Sequence, residues 1–306
     1  MYKNTITGEQ VLNCVAKKKP LTELAAISSI NGRLDLRGIM LPRPAERPLI
    51  IKKYNFENID FSAAGLNDIF FEKCVFSNCL FEKANLEKVH LRAVKIINCQ
   101  FINANLGDSS IGNIGNDSGE IQCTIFHKTN FSHSFFSFPI IHETLFDDCR
   151  LHEVDFDSSR FSNTTFKGRI SDSFFRGYSL LWEPGFKWLP AVKYKNFRNR
   201  MLNVDFSQCV LNGVSFTHGI DLSHCKFPAA DNYFVVKDLA TVYTKARQII
   251  TDTWINPERD LYLRMIDTLY YNKDRREQAM DLMELMPGNP DDKPFFDLIK
   301  RINTSL

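Results

Sequence analysis

The chain has 306 residues, 44% of them hydrophobic, a formal net charge of +2 and eight cysteines. That length supports a sizeable core and two or three structural units, and the near-neutral balance makes no demand for a nucleic-acid partner. No apolar run reaches the roughly 18 residues of a membrane-spanning helix, and the first 20 residues lack a secretory signal: residues 11–16 are too short for its hydrophobic region.

Residues 1–52 read as a separate N-terminal segment and a candidate secretion segment. The pattern predicts a helix over 8–18, a second over 21–28, a strand-like unit at 34–36, and a connection broken by Pro42, Pro44 and Pro48.

From Tyr54 the pattern changes. Every fifth residue from Phe61 to Phe166 is apolar except Asn116, over 22 positions. A period of five is neither that of a helix nor that of a strand, so it marks an internal repeat. A second row, two residues earlier, holds small or β-branched residues such as Ala64, Cys79, Ala84 and Thr124. The residue after each central one is mostly polar. Such a unit must turn at every step, with one large and one small side chain directed inward.

The stretches Lys83-Ala84-Asn85-Leu86, Asn103-Ala104-Asn105-Leu106 and Asn203-Val204-Asp205-Phe206 resemble the pentapeptide-repeat family. The resemblance implies a mainly β fold, a right-handed quadrilateral β-helix with four units per coil, so that residues about 20 apart stack. It implies one column of Phe61, Phe81, Phe101, Ile121, Ile141 and Phe161 and another of Leu66, Leu86, Leu106, Phe126, Phe146 and Phe166. Roughly six to seven coils then make a rod about 30 Å long. The open coil ends need covers, which residues 1–52 and the C-terminal helices are expected to supply.

The register answers the cysteines. Cys74, Cys79, Cys99, Cys149, Cys209 and Cys225 all fall in the small inward row, where a thiol acts as a small hydrophobe rather than a metal ligand or nucleophile. The one irregularity within the main stack, residues 112–120, has three glycines and reads as a bulging loop.

Residues 53–230 form the coil, interrupted at 169–203. That insertion is aromatic and basic. It supplies the candidate partner-binding residues Trp182, Phe186, Trp188, Lys193, Tyr194, Lys195, Phe197, Arg198 and Arg200, since aromatic and arginine side chains are common interface anchors on loops leaving a rigid scaffold. The repeat resumes at Phe206, Leu211 and Phe216 and closes at Leu222 and Phe227.

Residues 231–306 carry helical stripes instead: Val235, Leu239, Val242, Tyr243 and Ala246; then Tyr262, Ile266 and Leu269 after an Asn256-Pro257-Glu258 start; then Ala279, Leu282, Met283 and Met286; finally Phe295, Leu298, Ile299 and Ile302. They predict a C-terminal module of about four helices.

No phosphate loop, Cys-x-x-Cys pair or zinc-protease motif is present, and the seven histidines scatter over outward coil positions or turns; His127 and His133 could approach one another, but a pair of surface histidines is far more often solvated than ligating. The expectation is a non-enzyme with no cofactor and no metal. Irregular, Phe- and Cys-rich coils with helical ends resemble type III secreted effectors of enterobacteria. One group of these, the HECT-like ubiquitin ligases, joins a similar coil to a catalytic lobe. No cysteine follows Cys225, so the resemblance implies a substrate-binding part without the ligase. The expected partner is a host protein, with no nucleic acid, peripheral membrane contact left open, and secretion from the bacterial cytoplasm into a host cell. The alternative is a DNA mimic that binds DNA gyrase. Residues 56–167 hold 15 acidic and nine basic residues, net −6, a mild charge for that role.

Overall fold

The computed structural model describes residues 6–24, 27–42, 47–114, 117–177, 199, 201–217, 220–229, 233–236, 238–270, 278–281 and 293–306. Each five-residue unit contributes one side of a four-sided coil, three sides as short strands and the fourth mostly as single bridges, and these stack in parallel from coil to coil. The central residue and the small residue before it are buried; the residues flanking the central one face outward. The corner is made by the second residue after the central one, which takes a left-handed backbone conformation. Asn58, Asp68, Asn78, Asn98, Asn103 and Asp108 do so with φ between 53° and 56°, as short polar residues tolerate best. Lys73, Ala93, Phe138 and Glu143 also adopt it, φ 48° to 61°. The stack therefore imposes the corner on residues that would not choose it.

The four sides are named after Phe56, Phe61, Leu66 and Phe71, the central residues of one coil. The Phe56 side has six strands, from Asn55–Glu57 to Arg160–Ser162. The Phe61 side carries Phe61, Phe81, Phe101, Phe126, Phe146, Phe166, Phe206 and Phe227, with successive ring centroids 4.4 to 5.6 Å apart. The Leu66 side is joined by single bridges such as Gly65 to Asn85 and Asn85 to Asn105. The Phe71 side has eight strands, from Leu49–Lys52 to Ser215–Thr217. Eight strands mean eight coils, more than the repeat count suggested, and a stack about 34 Å long.

The predicted columns hold only as far as Phe101 and Leu106. Phe101 then pairs with Phe126, Ile96 with Ile121 and Ile111 with Phe136, each 25 residues on, whereas Phe81 and Phe101 are 20 apart. The cause is the loop over 112–119, closed by paired hydrogen bonds between Ile114 and Asp117. It adds one extra unit's worth of residues. The period of five runs on in the sequence while the stack slips by one side. Gly112 permits the departure: a Cβ there would lie 2.5 Å from the Ser137 carbonyl oxygen.

The coil also continues past residue 169, contrary to the expected break. Strands Thr165–Ser171 and Phe174–Arg176 pair with Val204–Asn212 and Ser215–Thr217. Ile170 and Phe175 are the buried central residues. One residue is missing between Phe166 and Ile170, which hid the continuation from a strict count of five.

At the N-terminal end, helix α1 (Gly8–Ala16) is capped reciprocally by Thr7 and Gln10. Its Val11, Cys14 and Val15 join the coil's core beside Ile51 and Tyr54. The second expected helix is only a 3-10 turn, Leu21–Glu23: Leu24 is already extended, and a Ser29–Ile30 strand follows. Strand Arg33–Asp35 pairs in parallel with Ile59–Asp60, starting the stack.

After the coil, Val235 lies in a strand, Tyr233–Val236, not in a helix. It pairs antiparallel with Gln278–Asp281, where the stripe through Ala279 predicted helix. Adjacent β-branched Val235 and Val236 favour that pairing. Leu282, Met283 and Met286 lie outside the described residues. Helices α2 (Leu239–Thr253), α3 (Glu258–Tyr270) and α4 (Lys293–Thr304) enclose a second core of Val242, Tyr243, Ile250, Tyr262, Ile266, Phe295 and Ile299.

Candidate interaction surface

The small inward row is structural chemistry. Cys74, Cys79, Cys99 and Cys149 each direct Sγ to the carbonyl oxygen of a central residue one coil back, 3.3 to 3.5 Å away. Thr129 and Ser134 make the same contact at 3.0 and 2.8 Å. Burial pushes the Cys149 and Cys209 thiols up to about 12 and Cys79 well up, so they stay protonated. Cys123 differs. It is exposed at a corner, and its Sγ lies 3.2 Å from Glu143 Oε2, a contact that raises its pKa.

His127, His133, His142 and His152 face outward and pair with groups one coil on. His127 Nδ1 lies 2.7 Å from Asp147 Oδ2 on the Phe61 side. His133 Nδ1 lies 2.9 Å from Glu153 Oε2 at a different corner. His127 and His133 are therefore engaged separately. Among the described residues, no three His, Cys, Asp or Glu side chains converge as metal ligands, and no helix is long and apolar enough to cross a membrane.

The Phe71 side has the most aromatic outer surface. The residue before each central one forms an outward column there that includes Ile50, Phe70, His90, Phe135 and Phe174. Ile50, Phe135 and Phe174 are 36% to 44% exposed. His90 stacks on Phe70 at 3.9 Å. Arg92 lies over the Phe70 ring and Arg176 over the Phe174 ring, at 4.9 and 4.8 Å. Arg176 is held by Asp155, with Nε donating at 2.9 Å. The inward rows of the sequence do not point to this column; its signal is a second aromatic just before the central one, as in Phe70-Phe71 and Phe174-Phe175.

All nine sequence-predicted partner-binding residues, Trp182 to Arg200, lie outside the described residues. The root of their segment is described. The Asn199 N–H donates to the Gly177 carbonyl at 2.8 Å, and the Gly177 N–H donates to Thr217. Asn199 is fully buried, and its Oδ1 accepts from the Met201 N–H at 3.0 Å. The coil thus closes on itself across residues 178–198. Both that segment and the 112–119 loop leave from the corner that follows the Phe71 side.

With this geometry in place, a family model described as Pentapeptide repeats (8 copies) matches residues 55–92 and 71–108. Repeat, corner and stacking together define the class: a quadrilateral β-helix of pentapeptide repeats with C-terminal helices. Among solved structures, the chain is similar to HetL, a pentapeptide repeat protein involved in heterocyst differentiation regulation from the cyanobacterium Nostoc sp. strain PCC 7120. Identity is 12% over 73% of this chain and 98% of that one, with a TM-score of 0.41. It is also similar to QnrB1, a plasmid-mediated fluoroquinolone resistance protein: 16% identity, 60% and 89% coverage, TM-score 0.30. A third is Rfr23 from the cyanobacterium Cyanothece 51142: 17% identity, 44% and 89% coverage, TM-score 0.15. No curated protein matches the sequence. Pentapeptide-repeat proteins are generally non-enzymatic scaffolds for protein interactions.

Proposed function

We propose that this chain is a non-enzymatic protein-interaction scaffold, a bacterial secreted effector that binds a host protein through the coil surface, the 178–198 segment and the helical end. The observation that carries the reading is the closed root of that segment. An aromatic, basic stretch is mounted on a rigid stack whose hydrogen bonds continue from Gly177 to Asn199 without it. Loops positioned in this way on rigid scaffolds commonly carry recognition. Removing 178–198 leaves Phe175-Arg176-Gly177-Asn199-Arg200-Met201, a unit with the period of five restored.

The test compares affinity capture from host-cell lysates by the whole chain, by the 178–198 deletion, and by a Trp182/Trp188/Lys195/Arg198 substitution set. The expected result is a shared set of host proteins lost by both variants, with thermal stability unchanged. Retention of every captured protein by both variants would sink the role of the segment. Export is tested separately by fusing residues 1–30 to a reporter, and absence of export through a type III apparatus removes the effector reading. The mild net −6 of residues 56–167 weighs against the gyrase alternative, for which the check is a supercoiling assay; no protection at micromolar protein ends it.

A further inference from the structure

The N-terminal end of the coil covers its first strands unevenly. On the Phe61 side, Arg33–Asp35 is paired in turn by Ser29–Ile30, antiparallel to it. On the Phe71 side, the Lys18 ammonium donates to the carbonyls of Lys52 and Lys53, where Leu49–Lys52 ends. Strand Asn55–Glu57, the first of the Phe56 side, pairs with Val75–Ser77 alone among the described residues. The Tyr54 carbonyl accepts from the Val75 N–H and the Asn58 N–H donates to the Ser77 carbonyl, each at 3.0 Å. With the register, these bonds commit Phe56 to the same neighbour, because a parallel ladder engages alternate residues. The N–H and C=O groups of Asn55 and Glu57 therefore point to the opposite edge. Among the described residues, nothing there pairs with them.

That edge lines a cavity of about 430 Å³, whose other walls include Leu21 and Thr22 of the cap and Ser29 and Leu34 of the hairpin over 29–35. The cavity exists because the chain reverses at Asn31 and Gly32, φ 49° and 78°. The segment that a regular coil would lay beside Asn55–Glu57 folds back on Arg33–Asp35 instead. We propose that this cavity binds an extended peptide segment of a partner protein, added as a parallel strand beside Asn55–Glu57. The bonds it would make are already drawn in the coil. At the equivalent positions two coils on, the Lys95 N–H donates to the Cys74 carbonyl and the Ile97 carbonyl accepts from the Asn78 N–H, at 2.9 and 3.0 Å. Two N–H and two C=O groups in this alternation are the complement of one extended backbone. The cavity has the size of a ligand site and is walled by the cap, so it admits one strand rather than a second coil end. Leu21, Leu34 and Ile59 give apolar contact, with the Thr22 and Ser29 hydroxyls among them. The site is separate from the 178–198 segment and does not rest on the host-protein reading.

The test presents the full chain to a phage-displayed library of random short peptides. Glu57→Pro removes an N–H at the open edge and sets a ring there, while the bonds to Val75–Ser77 are kept, since proline is tolerated on the unpaired side of an edge strand. Glu57→Ala leaves the backbone edge intact. The expected result is a set of peptides that bind the wild type and Glu57→Ala but bind Glu57→Pro at least about tenfold more weakly. A synthetic copy of a selected peptide should slow hydrogen exchange at the Asn55 and Glu57 amides of the wild type. Methylating its backbone nitrogens in one alternation should abolish binding, and in the other should not. These last two measurements need no variant, so they decide the matter even if Glu57→Pro fails to fold. The proposal is overturned if no peptide prefers the wild type to a folded Glu57→Pro, or if bound peptides leave exchange at Asn55 and Glu57 unchanged. A concentration-dependent dimer abolished by Glu57→Pro also overturns it, because the edge then belongs to a second copy.

Discussion

In the small inward row, a thiol and a hydroxyl do the same work. Cys149 reaches the Phe126 carbonyl as Thr129 reaches that of Phe101, so Cys149→Thr should cost less than about 1 kcal/mol in chemical denaturation, whereas Cys149→Leu should overpack the axis and cost about 1–3 kcal/mol. The thiols also set an alkaline limit. Cys149 and Cys209 are raised from 9.0 to about 12 by burial, so the folded state holds their protons more tightly than the unfolded chain does. Their contribution is fully present below pH 9 and is lost as the pH rises through about 12. Unfolding titrations over that window should show stability falling with pH, and less steeply in a Cys149→Thr/Cys209→Thr variant. An unchanged slope would mean that these thiols are not buried. Cys123 gives the opposite experiment. Glu143 raises its pKa, so Glu143→Gln should leave more thiolate at pH 8 and speed its reaction with a disulfide reagent, while the buried thiols Cys74, Cys79, Cys99, Cys149 and Cys209 react only on unfolding.

At the scale of elements, the loop at 112–119 is an added unit rather than a distortion of one. Deleting residues 114–118 removes five residues and should return the stack to a uniform step of 20, as between Phe81 and Phe101. Among the described residues the deletion removes the ion pair of Lys73 with Asp117 and the 3.2 Å, half-buried hydrogen bond from Arg160 to Ser118, and single pairs of this kind are worth little in free energy. The melting temperature should therefore shift by only a few degrees with the β signal intact, since loop length itself costs little. Collapse of the β signal on this deletion would show that the loop holds the coil together. The same loop explains what the sequence could and could not reveal. The five-residue period was visible because the large central positions of the coil are apolar. The column register was not, because a loop of one whole unit leaves the period intact. The reverse happened at Ile170, where a single missing residue broke the period but not the stack. In the C-terminal region, Ala279 fell on a helical spacing, yet pairing with Tyr233–Val236 decided its structure, and such long-range pairing leaves no local trace. The outward Phe71-side column was legible residue by residue, but it acquires meaning only once eight strands set Phe70 and Phe174 in one line.

At the scale of the whole molecule, the buried apolar residues form two cores. One runs from Val11 and Val15 of α1 through the coil to Leu222; the other lies among α2, α3 and α4. A coil whose units touch only their neighbours should still unfold as one body, because α1 seals its first coil and each coil borrows its buried face from the next. The helical core is smaller and shares little with the coil beyond the strand holding Phe234 and Val235. Two unfolding transitions therefore follow, the helical core melting first. Trp254 packs against Tyr262 at 5.0 Å within that core, so in a variant with Trp182 and Trp188 replaced by Phe its fluorescence reports the helices alone. In urea, that signal should change at a lower midpoint than the far-ultraviolet β signal. Val11→Asp, which buries a charge between α1 and the first coil, should move the β transition and leave the Trp254 transition where it was. Coincident midpoints, or equal displacement of both by Val11→Asp, would show instead that coil and helices share one cooperative unit.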